Sequence, residues 1–284
     1  IIGSSKGLII DSETGETNRF VNTGHLESSM AIDGRFGDET IINRGYVGGA
    51  VSTGNGDDFL SSSNYIAGDV NLGSGDDRLV LRGKASASSF YSGTGEDILD
   101  LRADHIGTST TIAGGADDDV YIVSKANLYL EEDAAAGTDT VKSTVSFTLG
   151  TNFENLTLLG TKSIDATGNG AANKLIGNSG QNTLSGMAGM DILNGGGGND
   201  RLAGGADADM FVFNAHTGKD VIGDFADGVD KIDLSDYKGI DAFADLDGHI
   251  SQVGSNTVIT LLDGDRITLE NFDATKMTIA DFQF

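Results

Sequence analysis

Apolar positions along this chain recur in steps that fit neither a plain helix nor a plain strand. From Gly168 to Val212 each frame of nine residues carries one apolar residue near its end, giving the series Leu175, Leu184, Leu193, Leu202 and Phe211. Asp191, Asp200 and Asp209 stand two residues before the last three, and Asn173 and Asn182 hold that place before the first two. Glycine fills much of the remainder, as in GGGGNDRLA from Gly195 to Ala203. Self-similarity at a fixed period marks a repeat architecture, in which each unit buries its apolar residue only by stacking on its neighbours.

A longer repeat occupies the first half. GNGDDFL begins at Gly54, GSGDDRL at Gly73, GTGEDIL at Gly93 and GADDDVY at Gly115. Their acids, Asp58, Asp77, Asp97 and Asp119, are separated by 19, 20 and 22 residues. A degraded copy, RFGDETI, places Glu39 another 19 residues upstream, where a solvated turn residue is the preferred reading. Between the acidic turns, NRGYVGGAV from Asn43 and SNYIAGDV from Ser63 align at the same 19. One acidic turn per coil is expected here, and two per coil in the nonapeptide region.

From Val120 to Gly160 the repeat lapses into YIV, LYL, TVKSTVSFTL and NLTLLG, whose alternating apolar residues predict short strands. Strand-like segments return after Asn214 as KIDL, TVITLL and RITL, with turns such as DGD between them. Helical periodicity is confined to a short stretch near Asp241 to Leu246. The prediction is an all-β chain: a parallel β-solenoid or β-roll with Gly/Asp turns, ended by a C-terminal β cap. Four stretches follow: 19-residue coils over 1–119, a strand-rich joint over 120–167, the nonapeptide roll over 168–212 and the cap over 213–284.

The nonapeptide has a physical rationale. Glycine adopts positive φ at no steric cost, so the turn curls tightly and aims its carbonyls inward, while the aspartate adds a carboxylate. In a coil of two nonapeptides alternate turns stack, which sets Asp191 over Asp209 and Asp200 over Asn182. Parallel strands stack ~4.8 Å apart. Like charges at ~5 Å repel by roughly 1–3 kcal/mol, and a hard divalent ion between them reverses the sign. Calcium (Ca2+) accepts six to eight oxygens in flexible geometry, whereas magnesium keeps its waters and demands an octahedron. No His or Cys is placed for zinc. The expected ligand turns are those of Asp58, Asp77, Asp97, Asp119, Asn182, Asp191, Asp200, Asp207 and Asp209. Their glycines are Gly54, Gly56, Gly73, Gly75, Gly93, Gly95, Gly186, Gly189, Gly195, Gly198 and Gly204.

Composition sharpens this. Against 18 Lys and Arg stand 43 Asp and Glu, a formal charge of -25, which excludes a nucleic-acid surface and disfavours anionic membranes. Without cysteine there are no disulfides, and no apolar run approaches the ~20 residues of a membrane helix. A chain this acidic needs a cation to stay compact. The chain opens on Ile1 with no signal-peptide pattern, and the expectation is a processed or partial product of something longer.

These motifs carry a resemblance. The units at Gly186, Gly195 and Gly204 resemble the GGxGxDxUx repeat of the RTX calcium-binding β-roll, with Met187 in place of the second glycine and Asp207 where glycine is usual. GTDTVKSTVSFTLGTNFENLTLLG looks like the linker found before such repeats. KDVIGDFADGVDKIDLSD resembles the cap of serralysin-like proteases, and the terminal IADFQF looks like an uncleaved type I secretion signal. The resemblance is specific from about Val120 onward and looser over Phe20 to Ala113. It implies a secreted or cell-surface protein that passes the type I apparatus unfolded and folds in millimolar calcium outside. A site with a dissociation constant near 10⁻⁴ M then contributes roughly 1.4 kcal/mol.

Other motifs point elsewhere only weakly. GSSKG from Gly3 to Gly7 matches GxSxG, but a strand-like LII follows in place of the required helix. His25, His105, His216 and His249 are scattered, and Asp104-His105 lacks the Pro and Glu of the epimerase motif. Carboxylate pairs are everywhere, yet stacking on calcium accounts for them, so the chain is read as a non-enzyme. Tyr46, Tyr65 and Tyr91 would suit either a glycan-binding face or the cover of a solenoid edge. Three readings stand: a calcium-driven folding and export module, a self-associating or glycan-binding surface adhesin or S-layer component, or the accessory domain of an extracellular hydrolase, lyase or epimerase.

Overall fold

Each apolar column becomes a stack of parallel strands. The computed structural model describes residues 8–9, 17–27, 30–107, 109–134, 136–262 and 264–284. The GSSKG motif lies outside them. The chain forms two compact units, one through Lys142 and the other from Ser143.

In the first unit the chain alternates between two parallel sheets, adding one strand to each per coil. One sheet runs Leu8–Ile9, Met30–Asp33, Ala50–Asn55, Val70–Ser74, Ser89–Thr94, Thr111–Ala116 and Tyr129–Glu131. The other runs Thr17–Asn22, Asp38–Asn43, Phe59–Ser62, Arg78–Leu81, Ile98–Asp100 and Val120–Val123, with Thr140–Ser143 next in order. Register is held by the inward residues: Ile41 pairs with Leu60, Leu60 with Leu79, Leu79 with Leu99 and Leu99 with Tyr121. Val51, Val70, Phe90 and Ile112 form the matching column of the other sheet, and all of these side chains are buried. A one-residue slip would turn every one of them outward, so burial fixes the pairing.

The second unit repeats the plan with shorter coils. Asn155–Leu158, Lys174–Ile176, Ile192–Asn194, Met210–Val212, Lys231–Asp233 and Phe282–Gln283 make one parallel stack. Phe147–Thr148, Ala166–Thr167, Thr183–Ala188, Arg201–Ala206, Lys219–Ile222 and Arg266–Leu269 make the other. The nine-residue apolar series therefore splits into two columns. Leu156, Leu175, Leu193, Phe211 and Ile232 pair in one sheet, and Leu184, Leu202, Ile222 and Leu269 in the other.

After Arg266–Leu269 the pairing turns antiparallel through Asn256–Thr260 and Ile250–Val253, a meander that covers the open edge of the stack. This is the β cap. The helical turn expected near Asp241 is a 3-10 helix, Phe243–Leu246. The terminal IADFQF is built into the fold: Phe282–Gln283 pairs with Lys231–Asp233, and Asp281 and Phe282 are buried. Among the described residues no helix is long and apolar enough to cross a membrane.

The coil also continues where the sequence repeat lapses. Thr140 donates its N–H to the Asp119 carbonyl at 2.8 Å, and Asp139 takes the acid position one coil beyond Asp119. The motif fades there while the stack does not.

Candidate metal centre

The acidic turns assemble a ladder along one edge of each unit. Asp58 accepts at Oδ1 from the backbone N–H of Glu39 at 2.6 Å, Asp77 from Asp58 at 2.7 Å, and Asp97 from Asp77 at 2.7 Å. Asp119 accepts from Asp97 at 2.8 Å and Asp139 from Asp119 at 2.9 Å. Each carboxylate thus reaches back one coil. In the second unit Asp191 accepts from Asn173, and Asp209 from Asp191, at 2.7 and 2.9 Å. On the alternate turns Asp200 accepts from Asn182, and Asp220 from Asp200, both at 2.8 Å. Asp191 stacks over Asp209, and Asp200 over Asn182, as the frame of nine predicts.

A second ladder lies outside the first and runs the other way. Asp57 donates its N–H to Asp38 Oδ1, Asp76 to Asp57 and Glu96 to Asp76, at 3.0 to 3.1 Å on the exposed face. The paired acids of GNGDD and GSGDD therefore do different work. The first stitches coils from solvent, and the second turns into the interior.

That inner set is incompletely satisfied. Oδ1 of each acid is tied to a backbone N–H, but Oδ2 of Asp58, Asp77, Asp97, Asp119, Asp191, Asp200 and Asp209 is buried without a hydrogen-bond partner. A buried anionic oxygen left unpaired costs several kcal/mol unless it is protonated or meets a cation. Burial pushes the carboxyls up accordingly, to about 7 for Asp58 and Asp97, about 8 for Asp77 and Asp119, and about 6 for Asp191, Asp200 and Asp209. Neighbouring ladder acids add to the rise at Asp77, Asp119 and Asp191. Asp100 is the contrast. It too is buried, but hydrogen bonds and charge from Arg102 and Arg82 more than reverse the effect of burial and hold it well below the usual carboxylate range.

Two glycine positions explain the repeat. A Cβ at Gly186 would lie 2.1 Å from Asp191 Oδ2, and one at Gly204 2.1 Å from Asp209 Oδ2; at Gly195 the distance to Asp200 Oδ2 is 2.4 Å. The first glycine of the nonapeptides at Gly186, Gly195 and Gly204 is the floor under the orphaned oxygen. In the longer coils Gly73, at φ +115, receives the Gly54 carbonyl 1.8 Å from where a Cβ would stand. Gly93 receives that of Gly73 in the same way. These carbonyls face the next coil. Gly56, Gly75 and Gly95 also hold positive φ at close approach, as do Gly189 and Gly198 in the second unit.

Not every expected ligand joins the set. Asn182 accepts at Oδ1 from the Asn178 N–H at 2.8 Å and donates through Nδ2 to the Ile164 carbonyl at 2.6 Å. Its neutral amide is satisfied within the protein and leaves no buried anionic oxygen, which removes it from the charged column. Asn173 is satisfied in the same fashion. Asp207 is exposed at φ +79, and its carboxylate accepts from the Gly189 N–H at 3.2 Å, outside the inner column. Glu39, read from sequence as solvated, is buried and donates its N–H to the ladder.

Sequence reasoning missed Asp139, Asp220 and Asp230, which extend the columns beyond the last recognisable repeat. Asp230 accepts from the Asp209 N–H at 3.0 Å, and burial raises its carboxyl. A signal was present: Asp220 and Asp230 lie 20 and 21 residues after Asp200 and Asp209, and Gly137, Gly218 and Gly228 stand two residues before Asp139, Asp220 and Asp230, with Val141, Ile222 and Ile232 two residues after. The histidines assemble nothing comparable. His25 stacks on Tyr46 at 4.2 Å, His249 contacts the Thr260 carbonyl, and His105 lines a shallow cleft of about 610 Å3 with Tyr65, Lys84 and Lys125.

Buried aspartate oxygens, stacked and lacking a counter-charge of their own, fit a hard divalent cation and no softer one. Comparison with known proteins agrees. The family model for the RTX calcium-binding nonapeptide repeat (4 copies) matches residues 167–202 and 176–211. Endo-1,3-1,4-beta-glycanase EglC of Rhizobium meliloti (strain 1021) is 38% identical over 172 residues, covering 61% of this chain and 34% of its own. Endo-1,3-1,4-beta-glycanase ExsH of the same strain is 34% identical over 175 residues, covering 62% and 35%. The chain thus spans about a third of the length of these relatives. The crystal structure of extracellular lipase LipA from Serratia marcescens aligns over 87% of this chain and 45% of its own, at 17% identity and a TM-score of 0.29.

Proposed function

We propose that this RTX-repeat protein is a calcium-driven folding module of a secreted or cell-surface protein, exported through a type I apparatus and stabilised outside the cell by ions held in its turns. The observation that carries the reading is the column of buried, unpartnered Oδ2 atoms at seven aspartates. At neutral pH those carboxylates oppose folding; with calcium on them they favour it. Asp58, Asp77, Asp97 and Asp119 would hold ions in the first unit, and Asp191, Asp200 and Asp209 in the second. Calcium supplies charge neutralisation and a bridge between successive coils, while the apolar columns supply the rest of the stability.

The glycanase names of the two relatives support an accessory role within a longer glycan-acting protein. The test is export of the chain by cells carrying a type I apparatus into medium with calcium or with chelator. The account expects a compact, protease-resistant product only with calcium. Equal protease resistance in chelator would refute it.

A second reading has one observation in its favour. His25, Tyr46 and Tyr65 stack in sequence, with ring centroids 4.2 and 5.8 Å apart, and Tyr65 opens onto the cleft that holds Lys84, Asp104 and His105. Aromatic rings beside polar groups suit sugar rings. Retention on immobilised β-glucan, lost in Tyr65→Ala, would support it; no retention by the intact protein would dismiss it.

A further inference from the structure

Beyond Asp119 the coil departs from the chemistry of the repeat. Tyr129–Glu131 pairs in register with Thr111–Ala113, so the following residue, Glu132, stands over Gly114. A glutamate thereby occupies the coil position that glycine holds one turn earlier. On the other side of the turn the ladder continues, with Asp139 Oδ1 accepting from the Asp119 N–H at 2.9 Å. The outcome is three carboxylates, of Asp119, Glu132 and Asp139, each offering an oxygen within 4.8 Å of the others. All three are buried, at 1%, 6% and 1% exposure.

We propose that the ion assigned to Asp119 is held by three carboxylates, of Asp119, Glu132 and Asp139, in a site for one divalent cation of the calcium type that lies outside the nonapeptide repeats. Two observations besides the clustering point to a ligand. Asp119 Oδ2 is buried with no hydrogen-bond partner. The space it enters is a cradle: a Cβ on Gly114 would lie 2.1 Å from that oxygen and 2.7 Å from Glu132 Oε1, so only glycine leaves the pair room. Tyr121 orients the third ligand, donating its hydroxyl proton to Glu132 Oε1 while accepting from the Gly114 N–H.

The donor set consists of three carboxylates, all hard oxygen donors, which selects calcium or a lanthanide over zinc or copper. Each ladder of repeat turns stacks one inner carboxylate per coil. This site adds Glu132, a carboxylate the repeat lacks, and is therefore expected to bind more tightly than its neighbours. The identity of the ion rests on the calcium reading of the turns; the gathering of the three carboxylates does not.

The experiment uses the full chain. Native mass spectrometry counts calcium ions on the intact protein, Glu132→Gln and Asp139→Asn, and terbium titration follows emission excited through tyrosine. Tyrosine is the only efficient sensitiser in a chain without tryptophan, and Tyr121 touches the ligand Glu132. The expected result is one ion fewer in either variant and loss of the tightest phase of terbium emission, with the remaining ions kept. An unchanged ion count with unchanged emission would overturn the proposal. If a carboxylate variant fails to gain β signal in calcium, Tyr121→Phe decides: the ion count should hold while the tight emission phase falls, and emission equal to that of the intact protein counts against the site. An intact protein that carries no ion at all sinks the calcium reading itself, a result distinct from an equal count in all variants.

Discussion

The backbone N–H of Asp191 donates to Oδ1 of Asp209, eighteen residues on and one coil further along the stack, at 2.9 Å. That bond fixes the orientation of the Asp209 carboxylate and leaves its other oxygen buried over Gly204. The same relation recurs at Asp58, Asp77, Asp97, Asp119, Asp191 and Asp200. One oxygen builds the stack, and the other is buried without a hydrogen-bond partner.

The first prediction concerns pH in the absence of metal. Burial raises the inner carboxyls to about 6 in the second unit and about 7 to 8 in the first. In the unfolded chain the same groups titrate near ~3.9. The metal-free folded state therefore holds protons that the unfolded state has released. Its stability is greatest near about pH 4 and falls as pH rises through about 6 to 8. Chelated protein followed by far-UV circular dichroism should keep its β signal at mildly acid pH and lose it toward pH ~8. Calcium should restore it there. A chelated protein that becomes more stable as pH rises would contradict the account.

Asn182 shows what an uncharged occupant does: its amide is satisfied by the protein itself. Replacing Asp191, Asp200 and Asp209 by Asn should raise the melting temperature in chelator and shrink the gain on adding calcium, by roughly 1.4 kcal/mol per site lost. Asp100→Asn serves as the control, since Asp100 is neutralised by arginines. It should lower the melting temperature equally with and without calcium.

Gly186→Ala places a methyl 2.1 Å from Asp191 Oδ2 and 2.6 Å from the Gly204 carbonyl. The carboxylate must move or the coils must part. Calorimetric titration should find weaker calcium binding, with the loss confined to the nonapeptide unit. Affinity equal to that of the unaltered protein would show that Oδ2 is not a ligand.

The apolar column carries the stability that calcium does not. Leu193 is fully buried between Leu175 and Phe211. Leu193→Ala should cost about 2–5 kcal/mol in saturating calcium, read from the denaturant midpoint. The calcium concentration needed for folding should rise in step, because ion binding and burial stabilise the same state.

Much of this was legible in the chain because a solenoid converts sequence period directly into stacking. The frame of nine placed Leu175, Leu193 and Phe211 in one column and Leu184 and Leu202 in the other, and it placed Asp191 over Asp209. Asn182 stood among the expected ligand turns, but its amide is satisfied within the protein, and Glu39 was misread because position in the coil outweighed a degraded motif. Asp139, Asp220 and Asp230 were passed over because only one glycine of the frame survives before each, Gly137, Gly218 and Gly228, while the backbone went on coiling. Strand pairing tolerates that loss: main-chain hydrogen bonds and one inward residue per strand are enough to add a coil. Glu132 was hidden for a different reason, since only register with Thr111–Ala113 brings it over Gly114.

The most direct test is a calcium titration of chelator-treated protein at neutral pH by far-UV circular dichroism, with magnesium as the parallel arm and a variant carrying Asp191→Ala, Asp200→Ala and Asp209→Ala beside it. The account predicts a cooperative gain of β signal with calcium alone, weakened and shifted to higher calcium in the variant. A full β spectrum before any calcium is added, unchanged by calcium and the same in the variant, would contradict it.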